Sequence, residues 1–276
     1  MSTPLIDAEE LQATQGFVTV LDVRYQTGGP AGADEFARGH IPGASYVDVD
    51  SELAAAPGAG GRHPLPDPHH FVTAMRRHGV HLDRPVVVYD DWGGRAAARA
   101  WWLLRDYGHA DVRLLDGGWS AWQAAGGAVE AGPSALPQPG DFDGKPGAMP
   151  VVDAVDASAA AVLIDSRAPE RFRGEVEPID PVAGHIPGAV NVPTTRNLDN
   201  HGHFRDRHEL AQVYAAVGAT PEVEVAAYCG SGVTAAHTVL AMEVAGLRAA
   251  LYAGSWSHWI TDPNRPVETG QPVSTQ

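Results

Sequence analysis

The chain has 276 residues, 44% hydrophobic and 19% charged, a globular composition with length for about two domains. Lys+Arg of 19 against Asp+Glu of 34 leaves a formal charge of −15, which argues against a nucleic-acid partner. No apolar run approaches the ~20 residues that span a bilayer, and the first residues lack a basic and apolar secretion signal, so a cytoplasmic protein with no membrane partner is expected.

Taken in order, Asp7-Ala-Glu-Glu10 predicts a capped helix start. Residues 17–23 are apolar and rich in β-branched side chains and predict a strand. Asp67 followed by Pro68 predicts an N-cap and first helical position, with Phe71, Met75 and His78 at helical spacing. Val86-Val-Val-Tyr predicts a strand buried on both faces. Residues 95–107, rich in Ala, Trp and Leu, predict a helix, and 112–115 another strand. The Pro- and Gly-rich stretch 129–150 predicts a partly extended linker running over the surface. Beyond it come strands over 162–164, 225–228 and 249–251 and helices over 207–217, 233–245 and 256–260. Strands alternating with helices predict an α/β fold, a parallel sheet flanked by helices.

The pattern occurs twice. His40-Ile-Pro-Gly-Ala44 returns as His185-Ile-Pro-Gly-Ala189, and Val20-Leu-Asp-Val-Arg24 is answered by Leu163-Ile-Asp-Ser-Arg167. Val86-Val-Val-Tyr-Asp90 matches Val225-Ala-Ala-Tyr-Cys229, and Gly117-Gly-Trp-Ser-Ala-Trp122 matches Gly254-Ser-Trp-Ser-His-Trp259. Four matches in the same order indicate duplication. The expected organisation is a domain over 1–128, a linker over 129–150 and a second copy over 151–276.

Cys229 is the single cysteine, which excludes an internal disulfide and any multi-cysteine metal site. It stands at the end of a predicted buried strand, on the loop Cys229-Gly-Ser-Gly-Val-Thr-Ala235 that opens a helix. Ligands of open α/β sheets bind at such strand ends. Two glycines let backbone N–H groups converge, and a helix N-terminus behind them favours a thiolate or a persulfide anion. A lone cysteine is ordinarily a small buried hydrophobe. The duplication argues otherwise, because the matching residue of the first half is Asp90, so the scaffold itself does not require cysteine. A phosphatase loop, Cys-x5-Arg, would need arginine where Ala235 stands. A redox Cys-x-x-Cys would need cysteine where Gly232 stands. Sulfur transfer needs one thiolate, an anion-holding loop and no metal.

These residues, with Asp165-Ser-Arg167 and Arg171-Phe172, resemble the two-domain rhodanese superfamily, and most closely its 3-mercaptopyruvate sulfurtransferase branch. The resemblance covers roughly residues 5 to 270 and implies tandem duplicated rhodanese-like domains with a non-catalytic first copy carrying Asp90 at the cysteine position. It implies a sulfurtransferase that moves sulfane sulfur from 3-mercaptopyruvate to a thiol or cyanide through a Cys229 persulfide, without a cofactor. Gly230, Ser231, Gly232, Val233 and Thr234 would form the cradle. Ser231, His63 and Asp50 would handle the donor's thiol proton, and Arg171 would hold its carboxylate. Expected partners are a small-molecule sulfur donor and a thiol acceptor such as thioredoxin or a small thiol. The thiosulfate-preferring branch carries Cys-Arg-Lys-Gly-Val-Thr, where this chain has Gly230 and Ser231. A second arginine of the mercaptopyruvate branch, expected near 174–184, has no counterpart, since Arg173 is not at the matching position. A thiosulfate:cyanide sulfurtransferase is the alternative, and a non-turnover sulfane-sulfur carrier is the alternative of another class. Residues present in both halves, His40, His185 and the pairs Asp22/Arg24 and Asp165/Arg167, read as scaffold. Trp101, Trp102, Trp119 and Trp122 read as core. His69, His70, His201 and His203 read as surface loops, with no metal site.

Overall fold

A computed structural model describes residues 3–134 and 137–270; residues 1, 2, 135, 136 and 271–276 of the predicted segments lie outside the described residues. The chain forms two compact units. The first draws its described residues from Met1–Ala55, Pro66–Met149 and Asn200–Phe204, and the second from Ala56–Leu65, Pro150–Asp199 and Arg205–Gln276.

In the first unit β1 (Leu5–Ile6), β2 (Thr19–Asp22), β3 (Ser45–Tyr46), β4 (Val86–Tyr89) and β5 (Val112–Leu115) form a parallel sheet in the order β1-β5-β4-β2-β3. Every residue of β4 is fully buried, as its unbroken apolar run requires. Helices α1 (Ala8–Thr14), α2 (Gly32–Arg38), α3 (Val49–Glu52), α4 (Pro68–Arg77), α5 (Ala97–Asp106) and α6 (Gly118–Ala124) complete it. Asp7 caps α1 through Glu10 N (2.7 Å), and Asp67 caps α4 through His70 N (3.0 Å) with Pro68 at the first turn. His69 and His70 therefore lie in the first turn of α4, not in a loop. Trp101, Trp102 and Trp122 are buried in the core. The stretch predicted as a linker packs along this unit: Phe142 is fully buried, Gly140 N donates to Arg76 O (2.8 Å), and the Asp106 carboxylate accepts from Gly147 and Met149 N (both 3.0 Å).

The second unit repeats the plan with β6 (Val162–Asp165), β7 (Val190–Asn191), β8 (Val225–Tyr228) and β9 (Ala250–Leu251) in the order β7-β6-β8-β9, all parallel. A bridge from Val151 to Leu251 extends the β9 edge. Its helices are α7 (Ala154–Ala159), α8 (Pro169–Phe172), α9 (Arg207–Ala215), α10 (Val233–Ala245) and α11 (Ser255–Trp259). Helix α10 is apolar around most of its circumference and correspondingly buried, and Gly246 stops it in the left-handed conformation (φ 81°).

The duplication extends to single side chains. Arg24 forks onto Asp22 (2.7 Å) and Gly39 O (2.7 Å), and Arg167 onto Asp165 (2.6 Å) and Gly184 O (2.7 Å). His40 stacks on Phe36 and His185 on Phe172, each at 3.7 Å between centroids. Tyr89 Oη accepts from Ile41 N (3.2 Å) and Tyr228 Oη from Ile186 N (3.1 Å). These buried pairs and stacks hold the turn that enters each sheet, which accounts for their presence in both copies.

Candidate active site

Parallel pairing of β6 with β8 sets Asp165 beside Tyr228, so the chain leaves the carboxyl end of the sheet at Cys229. Cys229 is 1% exposed. Its Sγ accepts the N–H of Gly232 at 3.1 Å, and Ser255 Oγ lies 4.0 Å away. Gly232 is the N-cap of α10 at φ 84°, and a Cβ there would stand 2.1 Å from Ala253 O. Only glycine turns this corner and aims its N–H at the sulfur. Cys229 N donates to Ser255 Oγ (3.1 Å), and Cys229 O and Gly230 O accept from Trp256 N (3.0 Å) and Ser257 N (2.8 Å). The start of α11 thus clamps the loop, with the sulfur at the mouth of the 13-residue α10.

The corresponding loop of the first unit is already filled. The Asp90 carboxylate is fully buried and accepts four backbone N–H groups, from Trp92, Gly94, Ala96 and Ala97, each at 2.8 Å. Burial pushes the Asp90 carboxyl above its ordinary range while those N–H groups pull against it. The turn after β4 thus presents four backbone N–H groups to one carboxylate.

Around Cys229 the polar groups fall into two sets. Ser231, buried at 8% exposure, has its Oγ 2.7 Å from Nδ1 of His63, itself 9% exposed. Beside Gly230 lie two guanidinium groups. Arg171, in α8, forks onto Glu177 (2.6 and 3.1 Å) and reaches Asp180 at 3.2 Å, while Arg62 pairs with the other oxygen of Asp180. Burial raises the carboxyl of Glu177, but its bonds from Arg171 and from Asp180 N outweigh that and hold it below its ordinary value. Asp180 is pushed above its ordinary value by burial.

The rhodanese-like domain family matches residues 7–125 and 151–262, most of both halves. The chain belongs to the rhodanese-like family. It is an enzyme of the sulfurtransferase type. This rhodanese-like chain is 48% identical over 282 residues to a Pseudomonas aeruginosa protein named a probable 3-mercaptopyruvate sulfurtransferase, covering 98% of this chain and 99% of that one. It is 46% identical over 260 residues to a Mycobacterium tuberculosis protein provisionally named a thiosulfate sulfurtransferase, covering 92% and 91%. Among solved structures, the 3-mercaptopyruvate sulfurtransferase of Leishmania major matches with TM-score 0.85 and 31% identity over 96% of this chain and 75% of that one.

Of the residues expected from sequence, this rhodanese-like chain brings Cys229, Gly230, Ser231, Gly232, His63 and Arg171 together within the second compact unit. Val233 is buried at the start of α10, with Thr234 next to it. Asp50 is in the first unit, exposed in α3, whose N-cap is Asp48 (to Ser51 N, 2.8 Å). His203 pairs with Asp116 at 3.3 Å, and among the described residues no group of three or more His, Cys, Asp or Glu is placed to hold a metal. No helix among them is long and apolar enough to cross a membrane. Sequence reasoning missed Arg62, Glu177, Asp180 and Ser255. Arg62 directly precedes the candidate His63, and Ser255 occupies the position where the first copy has Gly118, so both carried a faint signal.

Proposed function

We propose that the protein takes sulfur from 3-mercaptopyruvate and passes it to a thiol through a persulfide on Cys229. The Cys229 thiolate attacks the donor's thiol sulfur. The C–S bond breaks, its electron pair goes to the methylene carbon, and that carbon takes the proton the thiol gives up. The products are Cys229–S–S⁻ and pyruvate. An acceptor thiol R–SH then attacks the outer sulfur, giving R–S–SH and the Cys229 thiolate. Gly232 N–H and the α10 N-terminus stabilise the anionic sulfur in both states.

The observation that carries the choice of donor is the 2.7 Å contact between Ser231 and His63. A thiol donor must lose a proton as its sulfur moves, and a hydroxyl–imidazole pair two residues beyond the nucleophile is suited to move it. Thiosulfate carries no such proton. Thioredoxin or small thiols of the cytoplasm are the acceptors that a single nucleophilic sulfur of this kind would serve.

Pyruvate release from 3-mercaptopyruvate, set against thiocyanate formation from thiosulfate and cyanide, tests the reading. The wild type is expected to favour mercaptopyruvate and to show one added sulfur by mass spectrometry after exposure to it, and Cys229→Ser to abolish both reactions and that added mass. Ser231→Ala and His63→Ala should lower kcat with mercaptopyruvate by about 100-fold, the scale of acid–base catalysis, and spare thiosulfate. Equal losses with both donors would remove the proton relay from the mechanism. Persulfide loading from a desulfurase, without turnover of either donor, would favour a sulfur carrier.

A further inference from the structure

The Arg171 fork is already engaged by Glu177, and the segment 174–184 supplies no further arginine for a donor carboxylate. We infer that Arg62 is that further arginine, so that Arg62 and Arg171 together form the donor's anion clamp and Asp180 is the counter-ion they hold when no donor is bound. The inference deepens the proposed function and rests on it for the identity of the donor.

Three observations carry it. A Cβ on Gly230 would stand 2.9 Å from an Nη of Arg62 and 3.6 and 3.7 Å from the two Nη atoms of Arg171, so both guanidiniums converge on the residue next to the nucleophile. The space that a side chain at position 230 would need is thus occupied by an arginine arriving from elsewhere in the sequence. Arg62 is fixed at its backbone, where its N–H donates to Ser257 Oγ (3.0 Å), and Ser257 N in turn donates to Gly230 O (2.8 Å). Finally, the two neighbouring carboxylates are not equivalent. Glu177 is stapled: it accepts Ile179 N (3.1 Å) and Asp180 N (3.0 Å) in addition to the Arg171 fork, and it anchors that arginine. Asp180 bridges the two arginines, one carboxylate oxygen on Arg62 and the other on Arg171. That is the bonding a substrate carboxylate would make. A planar α-keto carboxylate displacing Asp180 would exchange one set of charge-assisted bonds for another and leave its β-sulfur directed at the Cys229 loop.

The test is calorimetric titration of pyruvate into Cys229→Ser protein, with methyl pyruvate as the neutral control, alongside steady-state kinetics in the Cys229 background. Arg62→Met is expected to weaken pyruvate binding and raise KM for mercaptopyruvate by about 10- to 100-fold, the scale of one charge-assisted pair, with kcat changed less than about 3-fold. Arg62→Lys keeps the charge without the fork and should recover part of the loss. Asp180→Asn should tighten pyruvate binding several-fold by removing the competing carboxylate, without changing methyl pyruvate. Unchanged pyruvate affinity in both folded Arg62 variants, or unchanged affinity in Asp180→Asn, would overturn the inference. Should Arg62→Met fail to fold, Arg62→Lys and Asp180→Asn decide. Pyruvate binding that depends on Arg62, in a protein that releases no pyruvate from mercaptopyruvate, would refute the proposed donor and leave the clamp standing.

Discussion

Ser255 is the one non-glycine residue among those described with a positive φ, at 53°, where the first copy has Gly118 at 58°. Holding an L-residue there costs roughly 1–2 kcal/mol. The return is visible in its hydroxyl, which accepts Cys229 N–H, donates to Tyr252 O (2.9 Å) and stands 4.0 Å from the sulfur. Ser255→Gly should therefore be nearly neutral in stability, strain relief offsetting a lost hydrogen bond, whereas Ser255→Ala keeps the strain and should cost about 1–2 kcal/mol. Both should lower sulfur transfer by roughly tenfold, the rate equivalent of one polar contact to the nucleophile's loop. Denaturant midpoints that coincide for the two variants would discard the strain account. At this scale the residues alone reveal only near neighbours, and His63 is joined to Ser231 across 168 positions through the family resemblance. Cys229, Ser231 and Gly232 fall within one short loop and could be read together. The pairing of Arg62 with Asp180 spans 118 positions, and nothing local to either residue announces the other.

Elements with a long periodic or unbroken apolar pattern were read with little error: β4, β5, β8 and α10 have the predicted bounds. The two-residue strands β1, β3 and β7 were not foreseen, because Leu5-Ile6, Ser45-Tyr46 and Val190-Asn191 are too short to display a period; they exist through pairing with a neighbour. The short helices α2, α3, α6, α7 and α8 are absent from the sequence reading for a related reason, since one or two turns carry too few positions for a 3.6-residue repeat to emerge. Helix α9 is expected because the second half repeats the first half's pattern, and its start holds a capping box in which Asp206 accepts Glu209 N (2.8 Å) and Asp206 N donates to Glu209 (3.3 Å). Asp206→Ala should cost about 1 kcal/mol, and Asp206→Ser should retain most of it. Thermal melts of the two variants that coincide would show that the box contributes little to α9.

Across the whole molecule, duplication was the most legible property, and it carried the fold with it, since each half repeats the other's sheet order and buried ion pair. Stability against pH has a less visible source. His109 is buried at 2% exposure, its Nε2 donates to His81 O (2.9 Å), and its Nδ1 accepts Asp111 N (3.3 Å), which fixes the neutral ring. Burial depresses its protonation below the ordinary 6.5. As pH falls through 6.5 the unfolded chain takes up that proton first, so stability present above 6.5 is lost on the way down to the folded value. Buried carboxyls raised above their ordinary range, such as Asp90 and Asp116, tilt the balance the other way, so the quantity to measure is a difference. Between pH 7.5 and 5.5 the wild type should lose more unfolding free energy than His109→Gln, by up to about 1.4 kcal/mol, because only the interval from 6.5 to 5.5 contributes. Parallel profiles for the two proteins would exclude His109 as the origin. Asp90, finally, amounts to a bound anion that never dissociates: tethering fixes its local concentration, and neither dilution nor competing salt empties the loop around it. A chain with two such loops is therefore expected to saturate with a single sulfur atom, and the duplication doubles its length without doubling its stoichiometry.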